Sequence, residues 1–100
     1  MTDLEISQLD EEGCVVLPGA MGPALLSSLR TRILALFDEE GDQAGHEFKQ
    51  EENARRLANL VDKGAVFAQA VALAGVLEGV RHVLGADIKL SSLNARSADP

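Results

Sequence analysis

The chain has 100 residues, which allows one small domain and excludes a multidomain enzyme. Hydrophobic residues make up 46% of it, a globular share, but the only aromatic residues are three Phe, so any core must consist mainly of aliphatic side chains. The formal net charge of −7 disfavours nucleic acid or an anionic membrane as the main partner.

Residues 1–13 are acidic and lack the basic start and apolar stretch of a secretory signal. The longest nearly apolar run, residues 65–77, is shorter than the roughly 20 residues that a membrane helix needs. Cys14 has no second cysteine to pair with, and its place in an apolar run predicts a buried side chain. We therefore expect a cytoplasmic protein with no disulfide and no membrane partner.

The first half of the chain predicts two helices with a short strand between them. Thr2 and Glu5 fit a capping box that begins a helix through about Glu12, with Leu4 and Leu9 as its apolar contacts. The β-favouring run 14–17 predicts a strand.

The second helix has clear signals at both ends and a polar loop after it. It begins at Gly22-Pro23 and ends at Gly41, and residues 41–53 then read as an exposed loop. Its apolar stripe, at spacings of three and four, consists of Leu26, Leu29, Ile33, Leu36 and Phe37.

The second half of the chain predicts two more helices and a final strand. Residues 55–61 leave an extended piece and a helical turn open as alternatives. Asp62 predicts the N-cap of a helix over 63–73, and Gly75 separates it from a fourth helix that ends at Gly85. The expected buried residues of the fourth helix are Val76, Leu77, Val80, Val83 and Leu84. Residues 86–95 alternate in polarity and predict a strand.

Together these elements predict an α+β fold with about four helices and two or three short strands, in one unit over residues 1–100. The motifs G-x-S-x-G, G-x-x-x-x-G-K-[ST] and G-x-G-x-x-G are absent, which disfavours hydrolases and phosphotransferases. Neither His46 nor His82 belongs to an H-x-[DE] pair, so we predict no metal ligand and no catalytic residue here. For His82 we expect a partly buried, hydrogen-bonded ring.

Three stretches in a fixed order carry a family resemblance: LDEEGCVVLPG at 9–19, VLEGVRHVLGAD at 76–87 and LSSLNAR at 90–96. They resemble the N-terminal part of the phytanoyl-CoA dioxygenase family. There a similar Gly-initiated apolar phrase opens the catalytic domain, and a helix ending in Leu-Gly precedes the strand that leads to the iron site. The resemblance spans nearly the whole chain.

The resemblance implies a non-haem Fe(II)- and 2-oxoglutarate-dependent dioxygenase on a double-stranded β-helix (jelly roll), which hydroxylates a small or acyl-type substrate. The family's H-x-D pair is expected shortly after Pro100, and its distal His and an anchoring Arg later still. Helices take about half of these residues, which leaves too few for a jelly roll. We therefore expect residues 1–100 to be the N-terminal flank of a longer catalytic domain, inactive alone and unable to bind Fe(II) or 2-oxoglutarate tightly.

The same resemblance implies one cofactor-binding residue, Asn94, and the chemistry of Arg96, two positions later, adds a second candidate. In relatives, an Asn on the strand before the iron-binding motif contacts 2-oxoglutarate, and the segment containing Asn94 and Arg96 is similar to it. An amide offers two donors to a carboxylate, and a guanidinium on the same strand face offers a fork of donors. The alternative is structural, with Asn94 satisfying its own turn and Arg96 solvated.

A second hypothesis belongs to a different class of protein. It is a small acidic α+β protein-interaction module, complete in itself and dimeric through its helices or its last strand. Unpaired strand edges favour self-association under either hypothesis.

Overall fold

Four α-helices and one two-stranded antiparallel sheet make up the part of the chain that the computed structural model describes, residues 1–99. The helices are α1 (Asp3–Glu12), α2 (Pro23–Glu40), α3 (Ala65–Val71) and α4 (Ala74–Leu84), and the strands are β1 (Arg56–Leu57) and β2 (Ala95–Arg96). Single 3₁₀ turns lie at Gly41–Gln43 and Leu60–Asp62. The predicted α+β class is confirmed.

Helix α1 begins with the predicted capping box. The Glu5 backbone N–H donates to Thr2 Oγ1 over 3.1 Å, and the Thr2 N–H donates to a Glu5 carboxylate oxygen over 2.7 Å. Gly13, with φ of 77°, ends the helix in the left-handed conformation. The contact predicted for Leu4 is wrong, because 79% of that residue is exposed.

Helix α2 runs from Pro23 to the predicted stop at Gly41. Its second half packs on the core, and two polar contacts tie it to the segment before α3. Arg32 Nε donates to the Lys63 carbonyl over 2.7 Å, and Lys63 Nζ lies 2.8 Å from a Glu40 carboxylate oxygen.

The predicted strand over residues 14–17 is wrong. This segment has no assigned secondary structure, and Cys14 is exposed rather than buried. Val16 is 78% exposed. β-favouring side chains form a strand only beside another strand, and no strand of the described chain lies next to these residues.

The boundaries of α3 and α4 differ from prediction. Gly64, not Asp62, is the N-cap of α3, because Asp62 lies in the second 3₁₀ turn, where its carboxylate accepts a hydrogen bond from Asn59 Nδ2 over 2.7 Å. The helices break at residues 72–73, and Gly75 lies inside α4. Gly85, with φ of 92°, follows the last helical residue as predicted.

The hydrophobic core lies where the second half of α2, β1, the second 3₁₀ turn and α3 meet. Its buried cluster is Leu36, Leu57, Leu60 and Phe67. Helix α4 contributes no buried residue, and 63% of Val83 and 70% of Leu84 are exposed. The buried set predicted for α4 is therefore wrong, since no element of residues 1–99 covers that part of the helix.

The sheet joins the chain before α3 to the chain after α4. Arg56 lies opposite Arg96 and Leu57 opposite Ala95. The pairing continues past the strands, with the Ser97 N–H donating to the Arg55 carbonyl over 2.8 Å. Residues 55–61 thus contain both alternatives, a strand and then a 3₁₀ turn.

The final strand is much shorter than the predicted one. Of residues 86–95 only Ala95 belongs to β2, and no backbone hydrogen bond joins residues 86–92 to another segment of the described chain. Alternating polarity here, like the β-favouring composition of residues 14–17, does not produce a strand without a neighbouring one.

None of the four helices in residues 1–99 has both the length and the apolar character that spanning a bilayer requires. Only α3 and α4 counted together have both, and they meet at a bend of 54°.

Candidate functional site

The outer face of the small sheet carries two arginines directly opposite each other. Leu57 and Ala95 face the core, so Arg56 and Arg96 lie on the other face. Because the neighbouring pair is hydrogen-bonded through the Ser97 N–H, the Arg56–Arg96 pair is of the non-hydrogen-bonded kind, in which side chains lie closest. Like charges opposite each other destabilise a sheet unless an anion lies between them.

The Glu51 carboxylate, on the loop before β1, is that anion. One of its oxygens accepts a hydrogen bond from Arg96 Nη2 over 2.8 Å, and the other lies 3.5 Å from Arg56 Nη1. The hydrogen bond from Arg96 and its charge hold the pKa of Glu51 below its ordinary value of 4.5, with a smaller contribution from Arg56. The three side chains form what we call the arginine clamp: Glu51, Arg56 and Arg96.

Arg56 is held in place by stacking, but one of its hydrogen-bond donors has no acceptor. Its guanidinium stacks over the Phe48 ring at 4.0 Å from the centroid, which fixes its plane. Its Nε is buried and has no hydrogen-bond partner. A buried donor without an acceptor is costly, so the single oxygen that Glu51 offers leaves Arg56 incompletely satisfied.

A third arginine, Arg55, lies beside the clamp and has its own partners. Arg55 stacks over the Phe37 ring at 4.4 Å from the centroid and lies 3.8 Å from an Asp99 carboxylate oxygen. Its backbone N–H donates to Ser97 Oγ over 2.9 Å. These contacts anchor the end of the described chain against the sheet.

The structure gives the predicted site residue Asn94 a contact with the segment before α3. Its Oδ1 accepts a hydrogen bond from the Asn59 backbone N–H over 3.4 Å. Asn59 has a left-handed conformation with φ of 55°, and the main-chain pairing slips by one residue here, since the next hydrogen bond joins Leu60 to Leu93. The Asn94 oxygen therefore supplies an acceptor where the ladder is irregular.

Arg96, the other predicted site residue, is exposed but held by Glu51. Its partners in the clamp, Arg56 and Glu51, were not among the predicted residues. The Arg55-Arg56 doublet before an apolar run was visible in the sequence, but its pairing with a residue 40 positions later depends on the sheet.

The described residues do not fit an iron site. No three His, Cys, Asp or Glu side chains of residues 1–99 gather to hold a metal ion. His46 Nδ1 lies 3.1 Å from the Gln43 carbonyl oxygen, and His82 Nε2 lies 2.6 Å from an Asp10 carboxylate oxygen. The predicted hydrogen bonding of His82 is confirmed, and we assign no chemical step to iron. What the arginine clamp can do is hold a carboxylate.

Two apolar grooves flank α4. The first, of about 440 Å³, lies between α4, α1 and residues 14–17. The second, of about 410 Å³, lies between α4 and residues 88–90, with Arg81 and Lys89 in its lining. Both sides of α4 thus present apolar surface to solvent.

Comparisons of the chain with protein-family models, with curated proteins and with solved structures found no match.

Proposed function

We propose that this chain is the N-terminal part of an Fe(II)- and 2-oxoglutarate-dependent dioxygenase that resembles the phytanoyl-CoA dioxygenase family. In this proposal Asn94 and Arg96 contact the carboxylate of 2-oxoglutarate, and the iron ligands come from chain that follows Pro100. The observation that carries the proposal is that Arg96 already binds a carboxylate, that of Glu51, beside a second guanidinium.

The exposed surface supports a role as the flank of a larger fold. A compact monomer of this mass exposes about 5,500 Å², whereas the described residues expose 7112 Å². Several large apolar side chains, among them Leu84 and Leu90, are more than half exposed along the α4 grooves. In the proposal these grooves pack against the sheet of a jelly roll, and a small or acyl-type substrate is hydroxylated in the cytoplasm.

The second candidate function, a small acidic interaction module that dimerises, draws on the same exposed surface. A standard protein interface buries about 800 Å² per partner, less than the surplus of exposed surface here. Such a module would need no chain beyond Pro100. The two candidates therefore differ in what the gene encodes next.

The first test reads the coding sequence past Pro100. We expect an H-x-D motif within the segment that follows, then a distal His and an Arg. A stop codon directly after Pro100 would contradict the dioxygenase and favour the module.

The second test measures succinate formed from 2-oxoglutarate by the full encoded protein. We expect Asn94→Ala to raise the KM for 2-oxoglutarate, because the amide donors to its carboxylate are lost. Ser92→Ala, two residues earlier and also exposed, is the matched control and should leave that KM unchanged. Equal KM values for the two variants would contradict the role of Asn94.

A further inference from the structure

The arginine clamp is an anion site whose occupant comes from the chain itself. Glu51 lies in the loop between α2 and β1, whereas Arg56 and Arg96 lie on paired strands. The strand pairing places the two arginines opposite each other, whereas Glu51 reaches them from a loop, and 43% of its side chain is accessible to solvent. A ligand carboxylate that replaces Glu51 keeps a negative charge between the two arginines, so the exchange leaves the sheet paired.

The fit of Glu51 is one-sided. Its carboxylate accepts a hydrogen bond from Arg96 over 2.8 Å and lies at the longer distance of 3.5 Å from Arg56. The buried Nε of Arg56 remains without an acceptor. A free carboxylate is not restrained by the loop, so it can sit between both guanidinium groups and approach Arg56 Nη1 more closely than Glu51 does.

We infer that Arg56 and Arg96 form a binding site for a small carboxylate ligand, and that Glu51 is a built-in competitor which the ligand must displace. The site takes the carboxylate end of a mono- or dicarboxylic acid. Arg96 belongs both to this site and to the proposed function. The inference rests on the proposed function only where it names 2-oxoglutarate as one of the ligands. Acetate and succinate test the site by itself.

The short chain between Glu51 and Arg56 sets how strongly Glu51 competes with a free carboxylate. Glu51 is five residues from Arg56, and groups joined by short flexible linkers reach effective concentrations in the millimolar range. If that concentration is about 10 mM and a free carboxylate binds with a Kd of about 1 mM, removing Glu51 tightens carboxylate binding about tenfold.

The experiment titrates acetate, succinate and 2-oxoglutarate into the ¹⁵N-labelled chain at constant ionic strength, with chloride as the reference anion. The readout is the NMR signal of the Arg56 Nε–H group. We expect Glu51→Ala to bind succinate about tenfold more tightly than the unmodified chain. The adjacent exposed residue provides the control variant Glu52→Ala, which should match the unmodified chain.

Two further variants make the result decisive. Glu51→Gln keeps the length of the side chain and serves if Glu51→Ala does not fold. Adding Arg96→Gln to the Glu51 variant should abolish the gain. Equal succinate titrations for the Glu51 and Glu52 variants would overturn the inference. Binding of acetate and succinate without 2-oxoglutarate would keep the carboxylate site and remove 2-oxoglutarate from its ligands, while the succinate assay on the full encoded protein tests the proposed cosubstrate separately.

Discussion

At the scale of single residues, the most informative feature is the unequal use of the two clamp arginines. Arg96 makes a normal hydrogen bond to a carboxylate. Arg56 instead stacks on the Phe48 ring, and its buried Nε has no hydrogen-bond partner. Two like charges opposite each other in a short sheet need an anion between them. Glu51 therefore matters for the sheet as well as for any ligand.

The titration of Glu51 reports directly on this arrangement. Its pKa is lowered in the folded chain, so its pairing is fully present above 4.5, its ordinary value, and is lost as the pH falls through the lowered pKa. We expect Arg96→Gln to return the pKa of Glu51 toward 4.5, since Arg96 is the largest cause of the shift. ¹³C NMR of the side-chain carboxyl measures it. An unchanged Glu51 titration in Arg96→Gln would show that the pairing is not formed in solution.

Gly45 is a second residue on which the loop before β1 depends. Its φ is 70°, and a Cβ placed on it would lie 2.7 Å from the Arg56 carbonyl oxygen. Gly13 also has a positive φ, of 77°, but has open space around it. Gly45→Ala should therefore lower the free energy of unfolding more than Gly13→Ala, whose cost is the backbone strain of about 1–2 kcal/mol. Urea denaturation compares them, and equal losses would contradict the close approach of this loop to β1.

At the scale of elements, stability is concentrated in one small cluster. Phe67 on α3 is 1% exposed and packs with Leu36, Leu57 and Leu60. Phe67→Ala should cost about 3–5 kcal/mol, a large share of the about 5–15 kcal/mol typical of a domain. Val83→Ala on α4, where the residue is 63% exposed, should change stability by less than about 0.5 kcal/mol. Comparable losses for the two variants in urea denaturation would mean that α4 is buried in solution.

The elements also show which features the sequence could predict. The helix ends marked by Thr2, Pro23, Gly41 and Gly85 were predicted correctly, because caps and stops depend on residues within one turn. The strands predicted at 14–17 and 86–95 failed because a strand needs a partner that local pattern does not specify. Arg96 was predicted from its own segment, but its partners in the clamp were not, because only the pairing of the two strands brings them together.

At the scale of the whole molecule, the chain is more open than its length requires. A compact chain of 100 residues has a radius of gyration of about 13 Å, and this one has 15.6 Å with extents of 45 × 30 × 28 Å. The openness comes from α1 and α4, neither of which contains a buried residue. The core around α2 and α3 forms one part of the molecule, and the grooves along α4 form a second part that is still accessible to another surface.

The exposed grooves lead to a prediction about the 100-residue chain in solution. Val83 and Leu84 expose apolar area whose burial gains about 25 cal/mol per Å², so we expect association that increases with protein concentration. The net charge of −7 opposes that association, and added salt should strengthen it by screening the repulsion. Sedimentation velocity at several concentrations measures both effects.

A charge-matched pair of variants locates the association on α4. Val83→Lys combined with Leu84→Lys should keep the chain monomeric, because lysine ammonium groups are costly to bury in an apolar contact. Ser27→Lys combined with Ser28→Lys adds the same charge to exposed positions of α2 and should leave the association of the chain in place. If both double variants dissociated equally, net charge and not the α4 grooves would control association. If the unmodified chain were monomeric at every concentration and salt level, the grooves would not be a contact surface.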